Sequence, residues 1–423
     1  MTEGIEIITL GNGLVVILEQ IPLYQSACVG LFVDTGSRHE RADQAGLSHF
    51  IEHMLFKGTS TRSAADIARE FDLIGGQFNA YTAKELTCFY AKTLDYHILK
   101  AIDLLGDMFL NPRLDARDIE IEQGVVQEEI NMVEDSPDDL VVERLIEEIW
   151  GTLGLGGPIL GTAESVASFD ADAIRAYMKE GYTPGTLVIS VAGRFDRDAV
   201  LEQLERLFGG LPSAPRRTVQ EPPLYRPAVA LRQKEIEQVH LCFGFEGYGV
   251  EHPRSRALSV LSSVLGEGMS SRLFQRLREQ LGLVYTVYSF LSAHAGCGLL
   301  GIYSAQQPGK EEQAAAAVLE ELRLLKEGGV EEEELLRSKE MLKTGLVMSF
   351  ENSHARMSFN AREYIRYGKI RTPEDLLREI DAVDNPMLRE VIDEVLRGDK
   401  LSLSVVGRLR EEGFYTHLAE ALA

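Results

Sequence analysis

The chain has 423 residues, a formal net charge of −23 and 45% hydrophobic residues. That length exceeds one ordinary core, so two or more domains are expected. The acidic balance argues against a nucleic-acid partner, which would need a basic face, and favours cationic peptides by long-range attraction. No apolar run reaches membrane-spanning length, and no basic-then-apolar stretch opens the chain. The four cysteines (Cys28, Cys88, Cys242 and Cys297) lie far apart with no C-x-x-C spacing. A cytoplasmic protein with reduced thiols and no membrane association is therefore expected.

In chain order, Ile5–Thr9 and residues 14–19 flank Gly11-Asn12-Gly13, a hairpin signal. Residues 27–33 read as a strand. The segment that follows, residues 46–59, contains His49-x-x-Glu52-His53. On a helix, residues four apart project from one face, so His49 and His53 can share a metal ion. Glu52 can hang beside that ion without binding it, as a general base must. This is the reversed form of the H-E-x-x-H peptidase motif. Phe50, Ile51, Met54, Leu55 and Phe56 leave the helix apolar almost all round, which predicts burial. Two imidazoles and a carboxylate buried without partners would cost several kcal/mol, and a metal removes that cost.

Next come a helix over Ala64–Leu73, ended by Gly75-Gly76, then strands over Gln77–Thr82 and 86–92, and a helix over Ile98–Leu110 that stops before Pro112. A metal site that hydrolyses usually has three protein ligands and an open position. The helical stripe at 118–133 offers candidates: Glu122 and Glu129 interrupt Ile119, Val125, Val126, Ile130 and Val133, an odd place for acids unless they face a cation. Glu128 falls off this stripe.

The chain reads as a duplicated unit. Cys28 matches Cys242 in a second strand-like run, Cys88 matches Cys297, and Arg69-Glu70 matches Arg278-Glu279. Between the halves, Pro212, Pro215, Pro222, Pro223 and Pro227 with Arg216 and Arg217 read as a linker. The expected domains are 1–212, catalytic, and 233–423, non-catalytic, joined by 213–232. In the second half the positions of His49, Glu52 and His53 fall on Leu258, Leu261 and Ser262, none of which can hold a metal. Glu331 to Glu334 suit an exposed helix start. The other histidines (His39, His97, His240, His252, His294, His354 and His417) lack ligand spacing and read as surface or core. Strands interleaved with long helices give an α+β class.

His49-x-x-Glu52-His53 followed by Glu129 after 75 intervening residues, within the wording GLSHFIEHMLFKGT, resembles the pitrilysin and insulinase superfamily of zinc peptidases, and most of all the bacterial relatives of the mitochondrial processing peptidase. The resemblance implies two homologous α+β halves facing each other across a substrate chamber. It implies one Zn²⁺ per chain held by His49, His53 and Glu129, with Glu52 as the base and Glu122 supporting the site from one shell out. It places Asn79 and Ala80 on an edge strand that receives the substrate backbone, with Phe56 nearby. It matches Arg278 and Tyr285 to residues that donate to the developing oxyanion, and Gly266-Glu267-Gly268 to a glycine-bearing substrate loop. The activity implied is a zinc endopeptidase acting on peptides or unfolded, presequence-like segments, as a homodimer. The alternative within the same fold is a non-catalytic or partner-dependent subunit.

Overall fold

The structure, a computed structural model, describes residues 4–216 and 221–420; Arg217 of the expected linker lies outside them. From the N-terminus the chain runs through β1 (Ile5–Thr9), β2 (Val15–Gln20), β3 (Ser26–Val33), α1 (Leu47–Leu55), α2 (Ala64–Leu73), β4 (Gln77–Thr82), β5 (Thr87–Leu94), α3 (Ile98–Leu110), α4 (Ala116–Glu134) and α5 (Pro137–Trp150). It continues with α6 (Ala163–Ala167), α7 (Ala171–Gly181), β6 (Leu187–Gly193), α8 (Arg197–Phe208), β7 (Val229–Gln233), β8 (Val239–Gly247), α9 (Ser255–Gly266), β9 (Val284–His294) and β10 (Cys297–Gln306). The last part holds α10 (Glu311–Gly328), α11 (Glu332–Ser349), α12 (Ser353–Tyr367), α13 (Pro373–Asp381), α14 (Asn385–Val395), β11 (Ser402–Gly407) and α15 (Glu412–Glu420). The class is α+β, as the sequence indicates.

The chain divides into two compact units, and they are not its two continuous halves. One gathers Met1–Asn131, Leu153–Gln220 and Met348–Thr372; the other gathers Met132–Thr152, Glu221–Val347 and Pro373–Ala423. This corrects the boundaries expected from sequence: α5 packs on the sheet of the second unit, and α12 on that of the first. Both helices present an apolar stripe, and a stripe states that a helix must be covered, not which sheet covers it.

In the first unit the strand order is β1-β2-β6-β3-β5-β4, with β2 and β6 parallel and the other pairs antiparallel. One face is covered by α1, α2, α3 and α8 around Phe50, Phe71, Phe89 and Phe208. On the other face Met357 and Ala361 of α12 pack with Ile17, Cys28, Phe32 and Cys88. Gly30 permits this approach, because a Cβ there would lie 2.8 Å from Met357 Sδ. The buried carboxylate of Glu19 on β2 fixes the register of α12 by accepting from Arg356 Nε at 2.9 Å and Asn360 Nδ2 at 2.8 Å. Strand β4 forms one edge of the sheet and β1 the other.

In the second unit the order is β7-β11-β8-β10-β9, again with one parallel pair, β7 and β11. Strand for strand this repeats β2-β6-β3-β5-β4, so the duplication is visible in the topology. The strand register refines one match. Lys92 stands opposite Cys28 and Tyr303 opposite Cys242, so the position equivalent to Cys88 is Leu299, not Cys297. All four cysteines are free thiols. The expected linker contains all of β7 but its last residue, and within it Tyr225 is buried, its hydroxyl 3.1 Å from Gly244 O and 2.9 Å from Ser402 Oγ. The apolar pattern of Val229-Ala230-Leu231 is hidden by the prolines around it.

After α1 the chain turns through residues 57–62, and Asp107 on α3 holds that turn. It accepts from Thr59 Oγ1 at 2.7 Å, Arg62 Nη1 at 2.6 Å and Asn111 Nδ2 at 3.0 Å. Burial alone would raise its pKa, but the hydrogen bonds from Thr59, Arg62, Asn111 and Thr61 outweigh it and hold the carboxyl below the usual range. A depressed carboxylate contributes stability above its unfolded pKa and loses it as pH falls through the folded value. Asp107→Ala is therefore expected to lower unfolding stability by about 2–4 kcal/mol near neutrality, since it orphans several donors. The gap to the parent should narrow as pH drops below about 4 in paired denaturant melts. A gap constant down to pH 2.5 would contradict the ionic account.

Candidate metal centre

Helix α1 carries the motif, and its entry is built by the loop before it and by the distant segment around Leu160. Gly46 starts it in the left-handed region at φ 90°, and a Cβ there would lie 2.4 Å from Leu160 O. The buried carboxylate of Glu40 accepts from the backbone N–H groups of Gly46 and Ser48, both at 2.7 Å. A carboxylate at this end suits the helix dipole and satisfies donors that have no partner inside the helix. Leu47, Phe50, Ile51, Met54 and Leu55 are buried, leaving His49, Glu52 and His53 on the half-buried face.

Helix α4 brings Glu122 and Glu129 to that face. Glu129 Oε2 lies 3.6 Å from Nε2 of His49 and 3.6 Å from Nε2 of His53. One donor atom from each of the three residues lies within 4.8 Å of the others. Tetrahedral zinc with bonds of about 2.0–2.2 Å would space its ligand atoms by about 3.3–3.6 Å. The two Glu129–histidine separations match that spacing, and two imidazole nitrogens with one carboxylate oxygen are a donor set that suits the ion. Among the described residues the group ends at three.

The two histidines differ in their surroundings. His53 Nδ1 faces Glu122 Oε2 at 2.9 Å, and the other oxygen of Glu122 pairs with Lys57. With Glu122 ionised, that bond assigns a proton to Nδ1, and Nε2 is the nitrogen that faces Glu129. Burial would lower His53, but the Glu122 hydrogen bond and the charges of Glu129, Glu122 and Glu52 raise it overall. Burial also opposes the charge on Glu122, yet the hydrogen bonds from His53 and Lys57 keep its pKa low. His49 has no comparable partner: its Nδ1 is buried without a hydrogen bond, and burial, helped by His53, pushes its pKa down to about 4. It is thus a neutral imidazole at physiological pH. Glu128 is exposed, as its place off the stripe implied.

Glu52 receives a hydrogen bond from Thr82 Oγ1 at 2.6 Å on Oε2. Burial raises its pKa against the Thr82 bond and the charge of His53, and Glu129 adds to the rise. Its surroundings therefore favour taking up a proton. Thr82 and Glu40 are contributions that the sequence reading missed. Thr82 closes the strand carrying Asn79 and Ala80, but no local pattern marks which residue of a strand end meets a helix. Lys57, four residues after His53, carries no pattern that marks its pairing with Glu122 either.

Asn79 and Ala80 lie on β4, the edge strand. Asn79 is exposed, its Oδ1 accepts the Ala80 amide at 2.9 Å, and its NH₂ donates to the Tyr90 hydroxyl with one N–H to spare. Phe56 closes α1 and stacks on Phe78 at 5.8 Å. Arg278 and Tyr285 belong to the second unit, where they pair: Arg278 Nη1 donates to Tyr285 O at 2.9 Å, and the guanidinium sits over the rings of Phe274 and Tyr285. Tyr285 is 74% exposed. Gly266, in the expected glycine-bearing loop, ends α9 where a Cβ would meet Ser289 N at 2.2 Å, so close packing accounts for that glycine. Leu258, Leu261 and Ser262 are buried on α9.

The profile of the insulinase family (peptidase family M16) matches residues 15–163, and that of the M16 inactive domain matches residues 168–342. The zinc protease YmxG of Bacillus subtilis is 44% identical over 91% of this chain and 95% of its own. This chain belongs to the M16 peptidase family. The zinc protease ML0855 of Mycobacterium leprae is 39% identical over 92% of this chain and 88% of its own. The crystal structure of a protease from Helicobacter pylori shares the fold, with a TM-score of 0.87 at 21% identity over 95% of this chain and 99% of that one. Within this M16 chain, replacing Glu122 by Gln should weaken zinc binding by about 10–100-fold, because the charge orienting His53 is lost. Competition with a chromophoric chelator reads this directly, and an unchanged affinity would remove Glu122 from the site.

Proposed function

We propose that this M16 chain is a zinc-dependent endopeptidase acting on peptides and unfolded, presequence-like segments. The observation that carries the reading is the group His49, His53 and Glu129, with no fourth donor among the described residues and Glu52 set beside it. Hydrolytic zinc sites have three protein ligands and an open position, whereas structural ones are closed by four. Bound there, one zinc ion per chain would supply a Lewis acid that polarises a carbonyl and acidifies water.

The chain's own residues do the rest. Thr82 holds the Glu52 carboxylate in place, and that carboxylate can take the proton from water and return it to the leaving amine. The edge strand β4 offers its outer side to an extended peptide, whose backbone would replace Asn79 Oδ1 on the Ala80 amide and be held in register. Glu122 and Lys57 keep His53 in one tautomer.

The test is metal content by mass spectrometry beside cleavage of a quenched basic peptide, with and without chelator. About one zinc per chain and chelator-sensitive cleavage are expected. Zinc without cleavage would instead favour a non-catalytic or partner-dependent subunit. The further proposal of a cytoplasmic homodimer is checked by light scattering, which should give about twice 47.0 kDa. Among the described residues no helix is long and apolar enough to cross a membrane.

A further inference from the structure

Beside β4, on the α12 face of the first unit's sheet, lies a cavity of about 320 Å³ lined by Gln77, Asn79, Tyr90, Lys92, Asn352 and His354 among others. Its floor follows from strand alternation. Gln77 stands opposite Lys92 and Asn79 opposite Tyr90, so these four side chains share one face. Its wall is the first turn of α12, where the His354 ring packs 4.3 Å from that of Tyr90.

The polar lining is biased toward donors. Lys92 has no ion-pair partner among the described residues, in a chain whose net charge is −23. Both asparagines have their oxygens occupied: Asn79 Oδ1 accepts Ala80 N at 2.9 Å and Asn352 Oδ1 accepts His354 N at 2.9 Å. Their NH₂ groups are what they offer to a ligand, Asn79 with the N–H that is not donated to the Tyr90 hydroxyl. Nε2 of His354 is buried with no hydrogen bond. No carboxylate lines the cavity.

We infer that this cavity is a substrate subsite for a peptide carboxylate, with Lys92 as its cation and Asn79 and Asn352 as its hydrogen-bond donors. The inference rests on the peptidase reading and deepens it. Asn79 and Gln77 precede Thr82, the partner of Glu52, by three and five residues on one strand, roughly 10–17 Å at a strand's rise. An extended peptide added to β4 with its reacting carbonyl near Glu52 therefore places a residue three to five positions away against the cavity. Odd spacing puts that side chain on the α12 face. The bound group is an Asp or Glu side chain or the C-terminal carboxylate of a short peptide. The acidic subsite residue is compatible with an otherwise cationic substrate.

The test separates binding from turnover. Zinc-loaded Glu52→Gln protein is titrated by fluorescence anisotropy with peptides in which a single Glu, Lys or Ala is walked through each position, each peptide made with a free and an amidated C-terminus. In parallel, the parent protein is assayed for cleavage of the same set. One position three to five residues from the cleaved bond should prefer Glu over Lys by about tenfold. That ratio should fall to near one in Lys92→Gln and reverse in Lys92→Glu, both checked for folding by thermal melts. Preference that follows only the free C-terminus assigns the carboxylate to the chain end; preference that survives amidation assigns it to the side chain. Cleavage without any Lys92-dependent charge preference overturns the subsite and leaves the peptidase. Lys92-dependent binding with no cleavage by the parent upholds the subsite and overturns the peptidase. Absence of peptide binding overturns the subsite, while cleavage by the parent still decides the peptidase.

Discussion

Glu52→Gln is expected to keep about one zinc per chain and to lose turnover by about 10³-fold or more, the upper part of the range for a positioned acid–base group. The substitution is nearly isosteric, and the carbonyl oxygen of Gln can still accept from Thr82 Oγ1, which now sits 2.6 Å from Glu52 Oε2. The folded site should therefore persist while the proton acceptor is lost. Glu52 stands apart from the three-donor group, so metal content should not follow activity. Parallel mass spectrometry and peptide cleavage on the two proteins make the comparison. Parent-like turnover by the variant would show that another group takes the proton, and loss of zinc would show that Glu52 belongs to the ligand set.

Spacing made much of this site legible before any fold was known. Two histidines a turn apart must share a helix face, and Glu122 and Glu129, two turns apart, interrupt an apolar stripe where acids are costly. The structure brings the three donors together and turns Glu122 toward His53. What spacing could not reveal is held by residues outside the motif's helix. Glu40 meets the start of α1 through the long loop between β3 and α1, and Thr82 meets Glu52 from a strand 30 residues on. Neither contact leaves a local period. The fold divides similarly. Hairpin, helices and the strand Gln77–Thr82 follow from periodicity and glycine placement, and the edge position of that strand follows from the family resemblance, whereas the exchange of α5 and α12 between units follows from neither. An amphipathic helix is satisfied by any apolar sheet face, and only the packing of Met357 beneath Gly30 and the Glu19–Arg356–Asn360 cluster selects one. Sequence assigned His354 to surface or core; its place against Tyr90 depends on that exchange.

His53→Ala and His49→Ala should both abolish stoichiometric zinc binding, yet differ in the metal-free protein. Each removes one of three ligands, and a two-ligand site holds zinc far more weakly, so metal content should fall from about one per chain to below about 0.1 after dialysis. The unfolding free energy measured in excess chelator should separate them. His49 Nδ1 has no hydrogen-bond partner, so its removal leaves no group stranded. His53 Nδ1 bonds the carboxylate of Glu122, which is only 1% exposed and has Lys57 as its remaining partner. Removing His53 leaves a buried charge short of a donor, at a cost of about 1–3 kcal/mol beyond the cavity that both variants create. His53→Ala should thus be the less stable apo-protein, and adding Glu122→Gln to it should recover part of the difference, because the stranded charge is gone. Equal apo stabilities would mean that Glu122 is satisfied without His53. A His53→Ala protein still carrying one zinc would place the ion elsewhere.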